Sequence, residues 1–115
     1  MPLLQVTSNS ESAPEVIEAT LRQCAKACCD ILSKPTDYMQ TAFLNATVMT
    51  MGARQGACIF AELKSIGLAG DSVQQLSEAL TTLLAEGLEV APQNVYLVFQ
   101  DAPRENWAWN GNPFG

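Results

Sequence analysis

The chain predicts an α+β fold of β-α-β-β-α-β order, a mixed four-stranded sheet with two helices on one face. Three observations carry this expectation. Two stretches with helical apolar spacing are each flanked by strand-like runs. Two prolines, Pro35 and Pro92, each close a helix and lead into a strand, as Pro-Thr-Asp-Tyr and Pro-Gln-Asn-Val. Their separation of 57 residues is half of the 115-residue chain. Identity between the halves is slight, so the duplication is one of architecture and not of sequence.

Taken in order, Pro2-Leu3-Leu4-Gln5-Val6-Thr7 reads as the first strand, where the missing proline N–H costs nothing at a strand's start. Ser8 to Ser12 is a polar turn, and Ser12-x-x-Glu15 has the form of a helix capping box, with Pro14 tolerated in the first turn. Ile17, Leu21, Cys24, Cys28 and Leu32 then give one apolar helical face. Lys34-Pro35 stops that helix, because the residue before proline is pushed out of the α region. A second strand is expected from Tyr38 to about Ala46, and Met49 to Gly56 as a loop. Ala57 to Ile66 is the third strand, closed by Gly67. Asp71 or Ser72 caps a second helix with Val73, Leu76, Leu80, Leu83 and Leu84 on its apolar face, and Gly87 and Pro92 mark its end. Val95 to Phe99 is an almost unbroken apolar run of the kind buried on both faces of a sheet. The tail from Asp101 to Gly115 holds both tryptophans, Trp107 and Trp109, which point to one side if the segment is extended.

Composition bounds what this fold can do. One domain of this length builds a real core. Hydrophobic residues make up 48% and charged residues 16%, so part of the apolar surface is expected to be covered by other chains, in particular the sheet face away from the helices. The net charge is −6 with no basic run, which argues against a nucleic-acid partner. No apolar stretch reaches the roughly 18 residues of a membrane span, and the N-terminus lacks the basic and apolar regions of a signal peptide. A cytoplasmic location, without membrane association, is the simplest expectation. Cys24, Cys28, Cys29 and Cys58 form no C-x-x-C pair, and the chain has no histidine. Reduced core thiols are therefore expected, with no metal site.

Pro2 has a second reading. Initiator methionine is usually trimmed before a small residue, which would leave Pro2 as a secondary amine. An α-amino group titrates near about 7.7–8.0, closer to neutrality than any side chain here except the thiols. With Met1 attached the same nitrogen is a tertiary amide, neither basic nor nucleophilic. Strand opener and base are both open at this point.

The Pro2 strand, Lys34-Pro35-x-x-Tyr38, Lys64-Ser65-Ile66-Gly67, Val95-Tyr96 and the tail Trp109-Asn-Gly-Asn-Pro-Phe114 together resemble the macrophage migration inhibitory factor branch of the tautomerase superfamily, end to end and with almost no length difference. The resemblance implies a homotrimer in which three sheets form a central barrel, with three sites at subunit interfaces. It implies cofactor-free keto–enol tautomerisation of small aromatic 2-keto acids such as phenylpyruvate, with Pro2 as the base. Carried over by position, the substrate-binding residues are Lys34, Ser65, Ile66, Tyr96, Trp107, Trp109 and Phe114, with Tyr96 supplied by a neighbouring subunit.

The residue types suit that chemistry. Apolar burial by Leu3, Ile66 and the tryptophans, together with the Lys34 cation, would lower the pKa of the amine. Lys34 would hold the substrate carboxylate or its enolate oxygen. Three positions depart from the animal cytokine's pattern. Its C-x-x-C becomes Cys58-Ile-Phe-Ala61, an asparagine beside the pocket becomes Val98, and Trp107 replaces a small aliphatic residue. The alternative is a cytokine-like trimeric binding module with a vestigial pocket, its protein receptor unspecified by the sequence. A third option, proline-based decarboxylation or dehalogenation, is disfavoured because no arginine aligns with a pocket position.

Overall fold

A computed structural model describes residues 1–115. Its strands and helices are β1 (Pro2–Ser8), α1 (Pro14–Leu32), β2 (Gln40–Asn45), β3 (Ile59–Ile66), α2 (Ser72–Leu88) and β4 (Val95–Ala102), followed by a short hairpin of β5 (Ala108–Trp109) and β6 (Asn112–Pro113). The four long strands form one mixed sheet in the order β2-β1-β3-β4. β1 runs parallel to β2 and antiparallel to β3, and β3 runs parallel to β4. The expected α+β architecture is therefore the observed one. No helix is long and apolar enough to cross a membrane.

The core follows from alternation. Pro2, Leu4, Val6 and Ser8 of β1 and Ile59, Ala61, Leu63 and Ser65 of β3 all point to one side and are buried there. On that side Cys24 and Cys28 of α1 meet Leu76, Leu80 and Leu84 of α2, all fully buried. Burial pushes the thiols of Cys24 and Cys28 up to about 12, and all four cysteines are free. No three Cys, Asp or Glu side chains converge as metal ligands would.

The opposite sheet face carries no helix. There Leu44, Tyr96 and Val98 are 51%, 62% and 45% exposed. This corrects the expectation for Val95 to Phe99. The run alternates, with Val95, Leu97 and Phe99 partly buried and Tyr96 and Val98 exposed, because helices cover only one face.

Four local readings also change. The capping box at Ser12 does not form: Ala13 is the N-cap, without a side-chain bond. Ser12 Oγ instead lies 2.8 Å from Ser10 Oγ and 3.5 Å from the Leu88 carbonyl, so a tertiary contact takes the cap side chain away. The second helix likewise starts at an Asp71 N-cap with no side-chain bond. Gly87 does not end α2 but lies inside it, where a Cβ would stand 2.6 Å from Thr20 Cγ2 of α1. Finally, Tyr38 falls in a 3₁₀ turn, Thr36–Tyr38, and the second strand starts only at Gln40.

Candidate active site

Three chain segments end together at one end of the sheet. Pro2 opens β1 opposite Ser65 of β3, Ser65 pairs with Asp101 of β4, and Ile66 pairs with Ala102. The end of α1 is brought to the same place by its left-handed cap residue, Ser33 (φ 54°), after which the Lys34 N–H donates to the Cys29 carbonyl at 2.9 Å. That reversal satisfies a terminal carbonyl and turns Lys34 out of the helix beside the chain start. Asp101 steadies the turn beyond β3: its Oδ1 accepts from the N–H groups of Gly67 (2.9 Å) and Leu68 (3.2 Å).

Two adjoining cavities open here. The first, about 190 Å³, is lined by Met1, Lys34, Pro35, Tyr38, Ile66, Arg104 and Phe114. The second, about 490 Å³, has Met1, Pro2, Tyr38, Trp107, Trp109 and Phe114 among its walls. They share Met1, Tyr38 and Phe114, so together they form one site with a cationic end and an aromatic end. The aromatic end is held by its own packing. Tyr38 meets Trp109 edge to face with ring centroids 5.6 Å apart, and the Phe114 N–H donates to the Trp107 carbonyl at 3.0 Å. Asn110 (φ 51°) and Gly111 (φ 83°) form the left-handed turn that folds Phe114 back.

The electrostatics favour a neutral amine. The α-amino group of Met1, which occupies the place of a freed Pro2 amine to within one residue, is held below its ordinary value. Burial is the largest cause; the Lys34 cation acts next, and Cys29 opposes. Those first two causes are the ones inferred for Pro2 from sequence.

Of the residues named from sequence, Pro2, Lys34, Ile66, Trp107, Trp109 and Phe114 line these cavities. Ser65 lines neither: it is fully buried on the helix side, its hydroxyl donating to the Ile66 carbonyl at 3.2 Å. The chain's own Tyr96 is remote. It pairs with Phe60, which pairs with Thr7, at the far end of the sheet from Pro2 and on the uncovered face. Other lining residues, among them Asp37, Tyr38 and Arg104, are not among those the sequence assigns to the site. The expectation that the pocket lacks an arginine is thereby corrected: Arg104 comes from the tail, where no local pattern marks it.

Residues 1–115 match the family described as macrophage migration inhibitory factor (MIF). The chain is 29% identical over 115 residues to the macrophage migration inhibitory factors of Rattus norvegicus and Mus musculus, covering 99% of each protein and of itself. Among solved structures, the homologue from Prochlorococcus marinus has a TM-score of 0.89 at 27% identity, covering 98% of this chain and 99% of that one. The Toxoplasma gondii protein has a TM-score of 0.91 at 23% identity over 97% and 99%, a likeness of fold. The chain belongs to the macrophage migration inhibitory factor family.

Proposed function

We propose that this protein is a cofactor-free keto–enol tautomerase of phenylpyruvate-like 2-keto acids, acting through Pro2 once Met1 is removed. The observation that carries the reading is the juxtaposition in one site of the chain start, the Lys34 cation and an aromatic wall of Tyr38, Trp107, Trp109 and Phe114. A phenylpyruvate has the matching parts: a ring, an acidic methylene, and two adjacent oxygen-bearing carbons.

In this mechanism the neutral Pro2 nitrogen takes a proton from the methylene next to the ring. The C–H electron pair forms the C=C bond, and the carbonyl π pair moves onto oxygen. A cation beside that oxygen stabilises the charge as it develops. The prolinium proton is then delivered to the oxygen, giving the enol and restoring the amine. The aromatic wall orients the ring by offset stacking. The family's trimer would cover the open sheet face around Leu44, Tyr96 and Val98 and bring a neighbour's Tyr96 to the site.

The test follows enol–ketone interconversion of phenylpyruvate by ultraviolet absorbance, in samples whose intact mass establishes loss of Met1. Pro2→Gly is expected to lower kcat/KM by about 10²–10⁴-fold, the usual range for losing a positioned acid–base group. Undiminished turnover by a folded Pro2→Gly protein removes Pro2 as the base. Negligible turnover by the processed wild type on every 2-keto acid tried removes the tautomerase reading itself and favours a binding module.

A further inference from the structure

We propose that Arg104 is the carboxylate-binding residue of this site, and that it leaves Lys34 to the carbonyl oxygen. The assignment of Lys34 rests on the tautomerase reading; the binding role of Arg104 does not.

Arg104 begins a 3₁₀ turn, Arg104–Asn106, two residues past the end of β4. The register of β4 on β3 puts that point beside Ile66, so Arg104 enters the smaller cavity from the side across from α1. Two of the seven lining residues, Lys34 and Arg104, then bear positive side chains, and none is acidic. This concentration runs against the composition, since acids outnumber bases twelve to six in the chain. Asp37, on the wall of the larger cavity, forms an ion pair with neither cation, so their mutual repulsion is unfavourable and an incoming anion relieves that cost.

Arg104 is also free to act. The two basic side chains on α1, Arg22 and Lys26, are each paired with an acid one turn away, Glu18 and Asp30. Arg104 has no such partner. Its one hydrogen bond runs from Nη2 to the Phe114 carbonyl at 3.1 Å. A guanidinium has five N–H donors in a planar fork, so that bond anchors the group to the Phe114 backbone on the wall of the smaller cavity and leaves donors for a carboxylate. Lys34, a single point charge on a flexible stem, suits a lone oxygen better. A 2-keto acid presents both targets on adjacent carbons, and the two cations divide them.

The competing role is structural: Arg104 as a clamp on the tail through the Phe114 carbonyl. The two roles differ in what they discriminate. A tail clamp affects every ligand alike, whereas a carboxylate ligand affects only anions.

The experiment uses the processed full-length protein, with Arg104→Gln and Arg104→Lys variants. Quenching of Trp107 and Trp109 fluorescence reports binding of 3-phenylpropanoate, an unreactive aryl carboxylate, and of its neutral amide. Arg104→Gln is expected to weaken the carboxylate by about 10–100-fold, as for loss of a charged hydrogen-bond partner, while the amide changes less than about twofold. Arg104→Lys, which keeps the charge and a donor for Phe114, should lose an intermediate amount. In turnover, KM for phenylpyruvate should rise in parallel with kcat nearly constant, and the methyl ester should be unaffected. Equal weakening of acid and amide, or no weakening of either, overturns the assignment; where Arg104→Gln does not fold, the acid-to-amide ratio of Arg104→Lys decides it in the same way. Arg104-dependent binding without any turnover leaves this inference standing and sinks the tautomerase reading. Turnover indifferent to Arg104 does the reverse.

Discussion

Gly87→Ala sets two calculable effects against each other. By helix propensity alone the substitution in α2 stabilises by about 0.8–1 kcal/mol. The structure argues the opposite sign. An alanine Cβ would stand 2.6 Å from Thr20 Cγ2, 3.0 Å from Thr20 Cβ, and closer still to Thr20 Oγ1. Rotating Thr20 does not clear the overlap, because both branches and the Cβ itself are too near, and the Oγ1 donates to the Val16 carbonyl at 2.9 Å. Overpacking of this kind costs about 1–3 kcal/mol, and three crowded atoms place it at the upper end. The net expectation is a loss of about 2 kcal/mol, or roughly 8 °C in Tm for a domain of this size. Urea denaturation at fixed protein concentration measures it, since an oligomer's stability varies with concentration. The Thr20→Ala background supplies the control: there the cost of Gly87→Ala should fall by at least about 1 kcal/mol, a coupling typical of residues in contact. A Gly87→Ala protein as stable as the wild type, or an equal cost in both backgrounds, refutes the helix–helix contact as the reason for glycine.

The remaining predictions concern the site. Lys34→Met removes one of the two causes that hold the terminal amine below its ordinary value, so the acidic limb of the kcat/KM profile should move to higher pH; an unmoved or lowered midpoint contradicts the electrostatic account. The sign for stability follows from the same depressed pKa. The folded chain binds this proton less tightly than the unfolded chain, so stability rises with pH between the folded and unfolded values, and Lys34→Met should flatten that rise in pH-dependent urea titrations. Asp101→Ala strips two backbone N–H groups of their acceptor, and should cost about 1–2 kcal/mol in urea denaturation and raise KM by loosening the turn behind Ile66.

What the sequence made legible was whatever depends on near neighbours. The spacing of Leu76, Leu80 and Leu84 is a local pattern, and all three lie in the core where it placed them. The misses involve distant partners. Ser12 reads as a cap from its neighbours, but the Leu88 carbonyl, 76 residues on, competes for its hydroxyl. Gly87 reads as a helix stop because glycine near a helix end usually is one, and only the crossing of Thr20 gives the true reason. Val95 to Phe99 reads as doubly buried because hydrophobicity does not say which face a helix will cover. The site divides the same way. Lys34 and Pro2 carry motifs, whereas Arg104 has no local signature and reaches the cavity through the β3–β4 register.

The duplicated layout also separates what the backbone contributes from what the side chains contribute. Each helix ends on a left-handed residue, Ser33 in one half and Glu89 in the other, with Lys34 and Val90 closing back onto Cys29 and Ala85. Each is followed by a 3₁₀ turn, Thr36–Tyr38 and Pro92–Asn94, and each has a cavity beside it. The second of these, lined by Asn9, Ser10, Glu11, Ser12, Ala57, Leu88 and Glu89, is the counterpart of the candidate site in everything but chemistry. Its charged groups are two carboxylates, which repel an anionic substrate. Where the first cavity has Met1 at the chain start, the second has Ala57, an amide within a continuous chain and so without basicity. The Asn94 side chain also ties the Gln55 and Ala57 carbonyls in place at 3.1 Å each, which fixes this end as a joint in the fold. The same backbone frame thus occurs twice, and only the end with cations beside the chain start matches the proposed proton transfer. Function in this chain follows from the charge and chain chemistry placed on the frame, and the frame alone does not specify it.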